Sequence, residues 1–154
     1  MKHIIFDDPY KKNENYPYEI YDLSNQRQYI NNLYHNINFE YKSIVIKHIK
    51  AKYSSYKQQD KYKNKLDINK HITLDELIQK IYNSYLKCYY CNEDIYLLYQ
   101  NRKFNKQWSL ERFNNNIGHY NDNTCISCLK CNLQRRNDNH EYFKLGKQLN
   151  IKKI

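Results

Sequence analysis

Apolar and polar positions change rhythm along the chain, and the changes predict its elements. Residues 1–25 keep no sustained period, and Asp8-Pro9 and Tyr16-Pro17 read as turns or extended linker. This stretch is expected to be a loosely packed N-terminal arm, residues 1–23. Over residues 24–35 the pattern is ambiguous, with Ile30, Leu33 and Tyr34 at helix-like spacing. Over residues 41–60 it is firmer. Tyr41, Val45, Ile49 and Tyr53 recur every four positions, with Ile44 and Ile46 beside them, which predicts a helix. Lys42, Lys47, Lys50, Lys57 and Lys61 fall mostly off that stripe.

A further helix is predicted from Thr73, where Thr73-Leu74-Asp75-Glu76 fits a capping box. The Thr hydroxyl can accept a backbone N–H while the Glu reaches back, and both acids suit the positive end of the helix dipole. Leu74, Leu77, Ile78, Ile81 and Tyr85 give one apolar stripe, read as core packing, with the helix expected to end near Lys87. Beyond it, residues 108–113 can form a short strand and residues 123–127 the returning strand, with Thr124 and Ile126 on one face. Asn114-Asn115-Asn116-Ile117-Gly118 reads as the loop between them. Residues 129–136 should form a short helix. The predicted order is strand, loop, strand, helix.

The cysteines sharpen this picture. Cys88-Tyr-Tyr-Cys91 and Cys128-Leu-Lys-Cys131 are two C-x-x-C pairs that flank the strands. Each pair lets two thiolates converge on one ion, and two pairs complete a tetrahedral site, with soft thiolate ligands favouring zinc. Such a metal would supply folding free energy to a chain with few aliphatic residues. Cys125 precedes Cys128 at the same spacing, but strand alternation turns it away from the site, so it reads as a spare buried thiol. No βαβ pattern surrounds Cys88 and Cys91, which disfavours a thioredoxin-like redox role.

Charge adds a partner class. The 154 residues carry 26 Lys+Arg against 16 Asp+Glu, a net of +10. Asn, Lys, Ile and Tyr are heavily used, as an AT-rich genome would impose, so lysine content alone says little. Its placement says more. Residues 1–40 are net −2, residues 41–72 net +7 and residues 73–154 net +5. Codon bias would raise Lys everywhere, so the central block is a basic patch, a solvated face or a phosphate-contacting one. No apolar run approaches the ~20 residues of a membrane span. An odd count of five Cys, four of them in close pairs, with no apolar leader, favours an intracellular protein rather than a secreted disulfide scaffold.

Between the cysteine pairs lie Leu110-Glu111-Arg112, Gly118-His119, Asn123 five residues before the second pair, and Asn132 directly after its last Cys. This combination resembles the HNH endonucleases of the ββα-metal fold with a four-cysteine zinc. It is similar in particular to phage recombination endonucleases that resolve branched DNA, and to short HNH proteins of large DNA viruses. The resemblance covers residues 88–136, and extends more weakly upstream through residues 56–60 and 72–77. It implies an α+β fold: a helical basic region over 24–87, a zinc-stapled ββα-metal module over 88–137, and a C-terminal helix or tail over 138–154.

The resemblance also implies roles. Glu111 and Asn132 match the family's ligands for a catalytic divalent ion, Mg or Mn, and Asn123 matches the Asn that orients the base or the loop. Most members carry the general-base His directly after the acidic residue; this chain has Arg112 there, which cannot act as a base near neutral pH. His119 is then the expected base, with Arg112 clamping the scissile phosphate. Lys47, Lys50, Lys57, Lys130, Arg135 and Arg136 are the expected DNA contacts. Trp108 is expected to pack between the strands and an upstream helix. DNA is the implied partner; a monomer would nick and a homodimer would cut both strands. The rival expectation is a non-catalytic zinc-ribbon nucleic-acid-binding protein, and a third is a zinc module for protein contacts.

Overall fold

The computed structural model describes residues 16–149; most of the expected N-terminal arm, residues 1–15, and the last five residues lie outside them. The described part of the arm is packed. Residues Tyr18–Tyr21 form a 3-10 turn with Ile20 fully buried. Asp22 then caps helix α1 (Leu23–Tyr34), its carboxylate accepting the Ser24 N–H at 2.9 Å and the Asn25 N–H at 3.3 Å. Buried Gln26 ties the turn to a distant segment. Its Nε2 donates to the Ile20 and Leu98 carbonyls, and its Oε1 accepts the Leu97 and Leu98 N–H groups. All its hydrogen-bonding capacity is met, which is what lets a buried amide persist.

Helix α2 spans Lys42–Tyr62 and buries Val45, His48, Ile49 and Asp60. Helix α3 spans Leu74–Asn83 and starts with the predicted capping box: Glu76 N–H donates to Thr73 Oγ1 at 3.1 Å, and Thr73 N–H to Glu76 Oε1 at 3.0 Å. Leu77 and Ile81 are fully buried, each contributing about 1.5–3 kcal/mol of apolar burial. The helix stops four residues short of the expected Lys87. Tyr85 and Leu86 both adopt left-handed backbone, φ 53° and 52°. Such backbone costs about 1–2 kcal/mol per residue. The turn sends Leu86 into the core, where it is fully buried and its carbonyl accepts the Ile95 N–H at 2.9 Å.

Strands β1 (Trp108–Arg112) and β2 (Thr124–Cys128) pair antiparallel, from Trp108 opposite Cys128 to Arg112 opposite Thr124. Helix α4 (Leu129–Arg135) follows β2 without a gap, and α5 (His140–Leu149) closes the described chain. The result is an α+β arrangement of five helices and one two-stranded sheet among the described residues. Helix α2 reaches across to β1, where the Tyr56 hydroxyl accepts the Leu110 N–H at 3.0 Å. Trp108 is buried as expected, with the Lys52 ammonium of α2 4.6 Å from its ring centroid. Lys52 also donates to Gln107 Oε1 at 2.9 Å and to the Trp108 carbonyl; burial holds its pKa well below the ordinary lysine value. No helix among the described residues is long and apolar enough to cross a membrane.

Candidate metal centre and adjoining cavity

The four expected cysteines converge. One Sγ each from Cys88, Cys91, Cys128 and Cys131 lies within 4.8 Å of the others, and Cys91 and Cys128 are 4.0 Å apart. A tetrahedral ion with Zn–S bonds of about 2.3 Å would set its sulfurs about 3.8 Å apart, so the cluster is close to the size such an ion requires. Local backbone builds it. The Tyr90 N–H points at Cys88 Sγ (3.4 Å), as does the Cys128 N–H (3.3 Å), while the Cys131 N–H points at Cys128 Sγ (3.3 Å). The Cys128 and Cys131 thiols hold the Cys88 pKa far down, and in return Cys131 is pushed up by Cys128 and Cys88. Four thiolates this close repel one another unless a cation sits among them, and that is the chemistry of a structural metal such as zinc. Cys125 stands outside the cluster, 4.0 Å from a Glu111 oxygen, and burial raises its thiol pKa.

Beside this centre, a cavity of about 310 Å³ is lined by Glu111, Arg112, His119, Asn132 and Arg136, with Tyr56 and Gln59 of α2 on its far wall. Five expected site residues from β1, the 114–119 loop and the segment after β2 therefore share one concavity. Glu111 is 3% exposed. Its carboxylate is gripped by the Arg135 guanidinium and accepts the Tyr90 hydroxyl. Burial pushes the Glu111 pKa up, with Tyr90 and Arg135 pulling against it.

Arg135 corrects the expectation of a DNA contact. It is 2% exposed, and besides Glu111 it donates to the carbonyls of Arg112, Phe113 and Asp138. A guanidinium enclosed this way by one carboxylate and three carbonyls has no free face for a phosphate. Its role here is to hold Glu111 and the end of β1.

His119 is 3% exposed and doubly held by Asp60, a residue absent from the expected site. Asp60 Oδ1 lies 2.8 Å from His119 Nδ1, and Oδ2 accepts the His119 backbone N–H at 2.7 Å. His71 Nε2 lies 3.6 Å from the same carboxylate and Arg112 4.0 Å. Burial works to raise the Asp60 pKa, but its two hydrogen bonds from His119 leave it below the ordinary carboxylate value. Burial likewise depresses His119, with Asp60 opposing. The Tyr56 ring rests 4.9 Å from the imidazole. Gly118 makes the approach feasible: a Cβ there would lie 2.8 Å from Asp60 Oδ2 and 2.6 Å from the Lys65 carbonyl.

Asn123 is buried and organises the loop. Its Oδ1 accepts the Asn114 N–H, and its Nδ2 donates to the Asn114 and Gly118 carbonyls, all at 3.0 Å. Asn132 donates to Ser109 Oγ at 3.2 Å. Arg112 turns back on the loop, toward the Ile117 carbonyl at 3.3 Å. Lys47, Lys50, Lys57, Lys130 and Arg136 have exposed positions, and of these only Arg136 lines the cavity.

The signal for Asp60 was in the helix period. Positions 45, 49, 53, 56 and 60 continue one stripe, and a carboxylate on an apolar stripe is a buried charge that needs a partner. Nothing in the sequence named that partner. In the comparisons with known proteins, no family model, curated protein or solved structure matches this chain.

Proposed function

We propose that this chain is a metal-dependent endonuclease of HNH type, hydrolysing DNA phosphodiester bonds at the cavity beside a structural zinc. The observation that carries the reading is the convergence of Glu111, Arg112, His119 and Asn132 on one cavity next to the four-cysteine cluster. In this reading the imidazole takes the proton of the attacking water, and the new oxygen–phosphorus bond forms as the bond to the leaving 3′ oxygen breaks. The leaving oxygen takes a proton from solvent. Arg136 and Arg112 supply positive charge for the phosphate. Cys88, Cys91, Cys128 and Cys131 would hold the zinc, which when bound would brace the β2–α4 junction from which Asn132 reaches Ser109 of β1.

A second divalent ion, Mg or Mn, would be held by Glu111 and Asn132, whose carboxylate and amide oxygens suit a hard cation. When bound it would stabilise charge on the phosphate and leaving oxygen. Glu111 would then share its carboxylate with Arg135, which competes for the same charge. That competition favours a second reading, a zinc-stabilised nucleic-acid-binding module without catalysis.

Nicking of supercoiled plasmid and cleavage of branched DNA by zinc-loaded protein, with Mg or Mn, separates the two. The first reading expects cleavage by wild type and its loss in Glu111→Ala, His119→Ala and Asn132→Ala variants that retain zinc. Salt-sensitive DNA binding with no cleavage of either substrate would establish the second.

A further inference from the structure

Asp60 comes from α2, upstream of residues 88–136 where the resemblance is strongest, yet it holds the His119 backbone and imidazole by two atoms at once. We infer that Asp60 is a positioning residue that locks His119 in the Nδ1–H tautomer, leaving Nε2 as the proton acceptor that faces the cavity. The catalytic half of this inference rests on the endonuclease reading; the tautomer does not.

The geometry admits one arrangement. The His119 backbone N–H can only donate, so Asp60 Oδ2 must accept it at 2.7 Å. Oδ1, at 2.8 Å from Nδ1, is an ionised carboxylate oxygen and can only accept, so Nδ1 carries the proton. The other ring nitrogen, Nε2, then bears the lone pair. It has no hydrogen-bond partner among the described residues, and the ring lines the cavity. Asp60 itself is fully buried and does not line the cavity, so it acts only through the histidine.

The two hydrogen bonds from His119 favour the ionised carboxylate, and the Arg112 guanidinium adds to them. His71 Nε2 lies 3.6 Å away on the segment before α3, and its Nδ1 lies 2.8 Å from the Ile72 carbonyl. Arg112 approaches from β1, and Tyr56 packs on the ring from α2. When Nε2 takes a proton from water, the imidazolium forms against Asp60, which stays ionised and stabilises it. The proton leaves to solvent when the ring resets. Gly118 is the residue that permits this contact, since any side chain there would meet the Asp60 carboxylate.

Asn at position 60 breaks the arrangement in a defined way. Its single oxygen must serve the fixed backbone N–H, which turns the amide NH₂ toward Nδ1. Nδ1 then becomes the acceptor and Nε2 carries the hydrogen, so it cannot act as a base. A wrong tautomer in an Asp–His pair of a different enzyme class lowers kcat by about 10⁴.

The test is ring ¹⁵N NMR of the zinc-loaded full chain near pH 8, beside plasmid nicking. The His119 resonances should report protonated Nδ1 and bare Nε2 in wild type, and the reverse in Asp60→Asn. Nicking should fall by about a hundredfold or more in Asp60→Asn. In a His119→Ala background the same substitution should change the residual rate by less than about twofold, as expected for residues acting through one another. A wild-type spectrum with the hydrogen on Nε2 overturns the inference without any variant. So does a loss of nicking in Asp60→Asn that persists undiminished in the His119→Ala background. Wild type with the stated tautomer but no cleavage of any DNA overturns the endonuclease reading, and leaves the hold of Asp60 on His119 standing.

Discussion

The cysteine cluster and the Asp60–His119 pair are built in opposite ways. Each half of the cluster is local: two sulfurs three residues apart, aimed by backbone N–H groups of the same turn. The Asp60–His119 contact spans 59 positions and depends on α2 docking across β1. A local knuckle needs only its own turn and an ion. The long-range pair needs the whole core to be right, because displacing α2 separates acceptor from donor. The metal centre should therefore be the cause of order around β2 and α4, and the imidazole pair its consequence.

The strongest way to break that comparison is to remove the metal. Chelation, or Cys131→Ser, should abolish cooperative folding of the segment from Cys88 to Arg135, since structural zinc supplies about 10–16 kcal/mol to small metal-dependent folds. Circular dichroism melts with and without chelator read this directly. Asp60→Asn should instead leave zinc stoichiometry at one per chain. If the metal-free protein melts like the loaded one, the core rather than the ion holds the strands.

Next in size is Arg135→Ala. It leaves the Glu111 carboxylate buried without its cation, and breaking one partner of a buried ion pair costs about 3–5 kcal/mol. Adding Glu111→Gln should recover much of the loss, because the uncompensated charge is gone. Urea denaturation of the two single variants and the double variant checks this. Additive losses would mean that Arg135 acts through the Arg112, Phe113 and Asp138 carbonyls rather than through Glu111.

What could be read from the chain beforehand follows the same local and long-range divide. The capping box at Thr73, both C-x-x-C pairs, the two strands and the short helix after Cys128 are set by residues within a few positions of one another. The end of α3 is not legible in the sequence because helical periodicity runs on through Tyr85, while Leu86 has to turn inward to fill the core. Arg135 looked like a DNA contact because a basic residue one turn after Asn132 has the right spacing. Whether it faces solvent or Glu111 depends on where β1 lies, and spacing does not say. Burial of Ile20 likewise depends on Gln26 tying the turn to Leu98.

The pH dependence of stability sharpens the comparison on the long-range side. His119 has a folded pKa below its ordinary 6.5, because burial disfavours the imidazolium. The unfolded chain then binds the proton more readily, so stability present above pH 6.5 falls as the pH drops from there toward the folded value. Asp60 has a folded pKa below 3.8, so its contribution is present above that value and is lost as pH falls through the folded pKa. Melting temperature should therefore decline on acidification from pH 7 to 5, and His119→Phe should flatten that decline. An unchanged slope in the variant would assign the acid sensitivity to another group.

The smallest expected effect concerns the basic surface. Lysines count toward nucleic-acid affinity only if they release counterions, and that needs a solvent-facing ammonium. Lys50 and Lys57 are exposed on α2, whereas Lys52 on the same helix is enclosed by Trp108, Tyr99 and Gln107. If α2 lies along a duplex, Lys57→Ala should reduce the slope of log affinity against log salt by about 0.9, one phosphate contact's worth, on any DNA sequence. Lys52→Met should leave the slope where it is, although both variants remove a lysine from the same helix. Fluorescence anisotropy titrations from about 50 to about 300 mM salt, a roughly sixfold range, make the comparison. Equal slope changes in the two variants would mean that net charge alone, and not the exposed face of α2, governs binding.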